Sequence, residues 1–330
     1  GGDIVPGDQF TLVTSVGVLF FVGGALLISN LFGVPASTSM TAVGAIAGLG
    51  VATGTLNESV MFEIVSWWLL APVMAFWICA VIGRYLYPYL DAWFRLEQSD
   101  EPIFEFTRIG SVPYPTVSSN ATRKEVFVNV LVVGIGCYMA FSAGASNVAN
   151  AVAPLVGANA IGEGQGVLLA AGALALGAFT IARRTLDTVG NDLTDLPLLA
   201  ALIVEVVSAS LITFLSQIGI PASLAVSATM CIVGLGWGRA TRTVKISDAA
   251  ASAVKGPEKR GEGESAEVTV NAITAEPDDE VAKIGEEDPD ELSASDLFDP
   301  STTARVVGLW ILTPSISAVT SFLLFEYVPL

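Results

Sequence analysis

The chain has 330 residues, 52% of them hydrophobic and only 14% charged, with a mean hydropathy of +0.65 and a net charge of −17. This composition excludes an ordinary soluble globular enzyme, and the acidic balance argues against a nucleic-acid partner. Histidine is absent, which removes the usual proton shuttle and the usual transition-metal ligand. Cys79, Cys137 and Cys231 lie in apolar runs without CxxC spacing and read as small core residues.

Runs long enough to cross a bilayer, which takes roughly 20 residues each, are expected at 10–31, 34–54, 62–88, 126–145, 165–182, 196–217, 220–240 and 304–328. The first two are joined by Gly33-Val34-Pro35-Ala36-Ser37-Thr38-Ser39. Glycine ends one helix and proline suits the first turn of the next. The unpaired N–H groups of that turn attract an anion, and Ser37, Thr38 and Ser39 add hydroxyl donors. The third run carries Trp68-Leu69-Leu70-Ala71-Pro72. Trp67, Trp68, Trp77 and Trp310 read as packing or belt residues, and Glu63 and Glu326 as interfacial.

Basic residues cluster at Arg84–Lys124, at Arg183-Arg184 and at Arg239–Lys245, so all three loops are assigned to the cytoplasm. Two crossings must then separate the first two loops. Runs 126–145 and 165–182 supply them, which makes the Pro/Gly-broken stretch 147–160 re-entrant. Gly144-Ala145-Ser146-Asn147-Val148-Ala149-Asn150-Ala151 leads into that stretch, followed by Pro154. Ser146, Asn147 and Asn150 bring a hydroxyl and two amides to mid-membrane depth, where each needs a partner or a ligand. Glu205 is the ionisable residue near the centre of a run, a functional candidate by its insertion cost.

Gly219-Ile220-Pro221-Ala222-Ser223 repeats the first turn 186 positions later, and Gly234-Leu235-Gly236 repeats Gly48-Leu49-Gly50 in the same register. Trp310-Ile311-Leu312-Thr313-Pro314 repeats the third-run signature, 242 positions after Trp68. The second copy keeps Ser223 but has Leu224 and Ala225 for Thr38 and Ser39. An odd number of crossings separates the copies, so they are expected to be inverted. Residues 245–300 hold 16 of the 32 acidic residues and 5 of the 15 basic ones, which reads as a disordered acidic loop and suggests a halophilic source.

These residues resemble the inorganic phosphate transporter family of sodium- or proton-coupled phosphate permeases. Gly144–Ala151 with Pro154 is similar to its GANDVANA signature, and Pro35–Ser39 and Pro221–Ser223 to its PVSTTH signature. Arg183–Gly190 is similar to its RR…TVG segment, and Glu205 falls where the family has a glutamate. The resemblance is to a haloarchaeal-like member whose N-terminal spans lie outside this chain. Ser146-Asn147 stands where the family has Asn-Asp, and Met40 and Val226 where it has histidine, so proton coupling is weakened.

The expectation is an all-α polytopic membrane protein of about eight spans plus a re-entrant segment, in inverted repeats. Residues 1–90 complete the first repeat and 91–124 form a cytoplasmic loop. Residues 125–244 form the second repeat with re-entrant 146–160, 245–303 the acidic loop, and 304–330 the last helix. The expected function is import of inorganic phosphate across the plasma membrane with Na⁺, or less favourably H⁺, and no other cofactor. Ser37, Thr38, Ser39, Ser146, Asn147, Asn150 and Ser223 are the substrate candidates, and Asn147 and Glu205 the Na⁺ candidates. The lipid bilayer is a partner and a homo-oligomer is open. A sulfate permease of the same fold and a non-transporting sensor or scaffold are the alternatives; no nucleophile–base pair points to an enzyme.

Overall fold

The computed structural model describes residues 2–31, 37–94, 104–109, 112–117, 122–182, 197–243 and 300–328. The first turn Gly33–Ala36, the Arg183–Gly190 segment and the acidic loop lie outside the described residues, as do the readings made on them. The helices are α1 Leu12–Leu31, α2 Thr38–Ala52, α3 Glu58–Val81, α4 Tyr87–Phe94, α5 Arg123–Gly157, α6 Glu163–Gly177, α7 Leu198–Gln217, α8 Leu224–Ala240 and α9 Pro300–Tyr327. A π-helical turn at Ile82–Leu86 joins α3 to α4, and another, Ala178–Ala182, extends α6. Every expected run is therefore helical.

Among the described residues, four helices are long and apolar enough to cross a membrane: Glu58–Phe94, Arg123–Gly157, Glu163–Thr180 and Leu198–Gln217. Their outward surfaces fit that solvent. Phe62 is 77% exposed, Leu168 76% and Phe179 86%, an apolar display that water would penalise and hydrocarbon does not. The chain is a polytopic, α-helical membrane protein. By contrast α2, with 15 residues, rises only about 22 Å against a hydrocarbon thickness of about 30 Å.

The sequence reading needs two corrections. The stretch 147–160 is not re-entrant: residues 147–157 continue α5, which is 35 residues long with Pro154 inside it. Proline is tolerated inside a membrane helix; here the ladder resumes past it, with Ala158 N donating to the Pro154 carbonyl at 3.0 Å, and Ser15 Oγ of α1 donates to the same carbonyl at 2.8 Å. The count of two crossings between the basic loops is unaffected. The connecting loop also holds a β-hairpin, with β1 Phe104–Ile109 antiparallel to β2 Val112–Val117 and Ile109 opposite Val112. Gly110-Ser111 between two apolar strands was its signal.

The core is two helix pairs of close approach. Helix α2 runs parallel to α9, with Gly44 against the Pro314 carbonyl and Gly48 against that of Ala318. Helix α8 runs parallel to α3, with Gly234 against the Phe76 carbonyl and Gly238 against that of Ala80. Gly48–Ala318 and Gly234–Phe76 are the same contact, related by the two repeat offsets of the sequence. Ser321 Oγ adds a 2.7 Å hydrogen bond to the Ala45 carbonyl. The repeat-equivalent contact holds Cys79 and Cys231, both free thiols without exposed surface. Two of the three cysteines are thus the small core residues expected, while Cys137 is exposed on α5.

A Cβ on Gly234 would lie 2.2 Å from the Phe76 carbonyl oxygen. Gly234→Ala should therefore force α3 and α8 apart and destabilise the fold by about 1–3 kcal/mol. Gly134→Ala, where a Cβ meets nothing within 4 Å, should be neutral or stabilising. Thermal unfolding of the two variants in detergent checks the contrast.

Candidate functional site

The site forms where the start of α2 meets the C-terminal third of α5. Ser37 is the N-cap of α2: its backbone is extended and its Oγ accepts from Met40 N at 3.2 Å. That leaves the first-turn N–H groups of Thr38 and Ser39 without helical acceptors and carrying the positive end of the helix dipole. On α5, Ser146, Asn147 and Asn150 share a face because positions three and four apart stack along a helix.

The two segments are hydrogen-bonded to each other. Thr38 Oγ1 donates to Asn147 Oδ1. The Ser39 and Ser146 hydroxyls are 3.2 Å apart, and Asn150 Nδ2 donates to Ser39 Oγ at 2.8 Å. Asn147 Nδ2 is turned back on its own helix, to the Ala143 carbonyl at 2.9 Å. Six of the seven substrate candidates (Ser37, Thr38, Ser39, Ser146, Asn147 and Asn150) are therefore brought together. Pro154 has no N–H to close on the Asn150 carbonyl one turn earlier, so that oxygen is released from the helix ladder beside the same cluster.

A cavity of about 480 Å³ reaches Ser146 and Asn150. Ile218, Gly219, Ile220 and Pro221 of the second Gly-Pro turn form another of its walls, and Asp3 and Glu63 also line it. Among the described residues, no Lys or Arg lines it. The sequence reading placed Glu63 at the interface; the fold turns it towards the cavity, and no local pattern distinguished it from Glu326.

Two candidates, Ser223 and Glu205, are not among the lining residues of that cavity. Ser223 is the N-cap of α8 and accepts from Val226 N at 3.3 Å. It lies beside Met40, Trp67 and Pro72 around a small void and is not among the residues that line the cavity with Ser146 and Asn150. Glu205 is half-buried on α7 and does not line the cavity. Ser208 Oγ donates to its main-chain carbonyl at 3.4 Å and more closely to that of Val204, 2.6 Å. No hydrogen bond joins Asn147 to Glu205 among the described residues, and those residues contain no group of three His, Cys, Asp or Glu side chains that could hold a metal ion.

The family model of the phosphate transporter family matches residues 2–321. The chain belongs to the phosphate transporter family. Among curated relatives, the sulfate permease CysP of Bacillus subtilis (strain 168) is 30% identical over 233 residues, covering 71% of this chain and 58% of the permease. A provisionally named phosphate permease of Pyrococcus abyssi is 25% identical over 279 residues, covering 67% of this chain and 68% of its own. A solved structure described as the sodium-dependent phosphate transporter shares the fold with a TM-score of 0.59 at 16% identity, over 98% of this chain and 82% of that one. This chain thus spans a little over half of the sulfate permease and about two thirds of the archaeal relative.

Ser39→Ala removes the acceptor of the Asn150 amide and should cost about 1 kcal/mol of stability. It should also reduce, at least several-fold, the affinity read from a phosphate- or sulfate-induced rise in melting temperature. Ser223→Ala should cost a similar amount through its helix cap and leave the anion-induced shift intact. Thermal melts with and without each anion separate the two.

Proposed function

We propose that the protein imports inorganic phosphate across the plasma membrane, coupled to Na⁺, by alternating access of two inverted repeats. The observation that carries this reading is the junction of Ser39 with Ser146 and Asn150 at the head of α2. Hydroxyls, an amide and free helical N–H groups are neutral donors that can hold an oxyanion without a fixed cation. Because none of the described cavity residues is basic, the anion's charge is best offset by cations that travel with it. Asn147 Oδ1 and the Asn150 carbonyl released by Pro154 are hard oxygen ligands of the kind Na⁺ takes. Asp3 and Glu63 give the cavity mouth a negative field that draws cations in.

The parallel pairings α2 with α9 and α3 with α8 support the inverted-repeat reading. Each repeat's third segment packs on the second segment of the other, through the same glycine contact. Alternating access in such folds moves one repeat unit against the other around a fixed midplane site.

Sulfate is the second reading, and two observations favour it. The sulfate permease of Bacillus subtilis is among the similar proteins. Beyond that, none of the Thr38, Ser39, Ser146, Asn147 and Asn150 contacts supplies a carboxylate, which a protonated phosphate could use as an acceptor and sulfate could not.

Labelled phosphate uptake into proteoliposomes of the full-length protein, driven by an inward Na⁺ gradient with sulfate as competitor, tests the proposal. Uptake that needs Na⁺ and ignores sulfate is expected; uptake abolished by sulfate moves the substrate to the second reading. Glu205→Gln should abolish or uncouple uptake. Normal Na⁺-driven uptake in that variant would remove Glu205 from the mechanism and leave the Asn147 and Asn150 oxygens as the cation ligands.

A further inference from the structure

The two repeats meet around a second cavity, of about 510 Å³, with walls from α2, α3, α8 and α9. Those walls are matched across the repeats. The repeat offsets carry Met40 onto Val226, Trp68 onto Trp310 and Pro72 onto Pro314, and all six residues line it. The cavity therefore lies on the axis that relates the repeats, between the α2–α9 pair and the α3–α8 pair.

Its depth follows from α3. Trp68, Leu69 and Pro72 lie near the middle of this 24-residue helix, which rises about 36 Å against a hydrocarbon thickness of about 30 Å. The cavity is thus near the bilayer midplane. It also reaches the outer surface. Leu69 in its wall is 71% exposed, and the repeat partner Ile311, also in the wall, is 69% exposed. At that depth an exposed side chain meets hydrocarbon.

The chemistry of the wall narrows the occupant. None of the described lining side chains is charged. The Ser315 hydroxyl is spent on the Ile311 carbonyl at 2.7 Å and the Trp68 N–H on the Pro221 carbonyl at 2.8 Å, while the Trp310 N–H is buried. A cavity that offers water no partners stays dry. Left empty, it forfeits dispersion contacts of its wall atoms, a loss that grows with its volume. A hydrocarbon chain restores those contacts and needs no polar partner. Met40, Met61 and Met230, three of the protein's five methionines, give the wall unbranched side chains that adapt to such a guest.

We propose that this cavity binds an acyl chain of a membrane lipid, which enters beside Leu69 and Ile311 and fills the space between the two helix pairs. The inference needs the membrane placement of α3 and not the anion assignment above. The chain nevertheless backs onto the anion site. Met40 follows Ser39 at the head of α2, and Trp68 holds the carbonyl of Pro221, which lines the anion cavity.

The test uses the full-length protein in phosphatidylcholine proteoliposomes containing a phosphatidylcholine with a diazirine at the end of one acyl chain. Light turns the diazirine into a carbene that inserts into whatever lies beside it, and peptide mass spectrometry locates the adducts. Adducts are expected at Met40, Val226 and Met230 in the cavity, as well as at Phe62 and Phe179 on the outer surface. Ala47→Phe fills the cavity from within, and Val65→Trp narrows it at a partly exposed position, where added bulk disturbs packing least. Each should lower the cavity adducts several-fold and leave those at Phe62 and Phe179 unchanged. Thermal melts establish that each variant is folded, and Val65→Trp decides if Ala47→Phe is not.

Adducts confined to the outer surface of the parent overturn the proposal. That pattern is what a second copy of the chain, or another segment of the full-length protein seated in the cavity, would give. Cavity adducts that persist undiminished in a folded variant also overturn it, because the probe would then reach those residues without occupying the space.

Discussion

A helix that begins inside a bilayer must find partners for its first N–H groups and its capping side chains, because hydrocarbon offers none. The start of α2 is such a place, and the rest of the structure follows from how it is satisfied. Ser37 caps one N–H, while Thr38 and Ser39 turn to Asn147, Ser146 and Asn150 on α5. These groups bond one another where the cavity ends. An entering oxyanion meets donors that are already aimed and need only exchange partners. Placing a fixed arginine there would bind the anion more tightly but would also hold it, which suits a transporter poorly.

That junction depends on where α2 is held, and α2 is held by glycine. A side chain at Gly44 or Gly48 would meet the backbone of α9 at 2.4 or 2.3 Å. In a membrane, close backbone approach supplies the dispersion contacts that hydrophobic burial supplies in water. Gly234 and Gly238 do the same between α8 and α3. At the far end of that second pair the guanidinium of Arg84 donates to the Thr241 carbonyl, and that of Arg242 to the Arg84 carbonyl. The two rigid pairs frame the anion junction on one side and the tryptophan-lined apolar cavity on the other.

Much of this was legible in the sequence. Hydropathy placed all eight helical runs, and the Gly-Pro and Trp-Pro repeats picked out the helices that pair in space. Polar residues at mid-membrane depth, joined to a family resemblance, named six residues that do meet. What was missed has particular causes. Pro154 reads as a helix breaker, yet α5 continues past it to Gly157, tied to α1 by the Ser15 hydroxyl on the Pro154 carbonyl. Ser223 copies Ser37 in sequence and in capping, but without hydroxyls at 224 and 225 its helix has no polar face to offer α5. Glu205 stood out by its cost in hydrocarbon, and such a cost does not say which neighbour offsets it. Glu63 faces the cavity only because α3 packs beside α2 and the second turn, a long-range fact that no local pattern carries.

The central claim is positional: the oxyanion sits where the head of α2 meets α5. A structure of the full-length protein with bound arsenate or selenate, heavy-atom analogues of phosphate and sulfate located by their anomalous scattering, tests it most directly. The account predicts the anomalous peak within hydrogen-bonding distance of Ser39, Ser146 and Asn150, with the Ser39–Asn150 bond opened to admit it. A peak elsewhere, such as beside Arg84, Arg239 and Arg242 at the other end of α3 and α8, would contradict it.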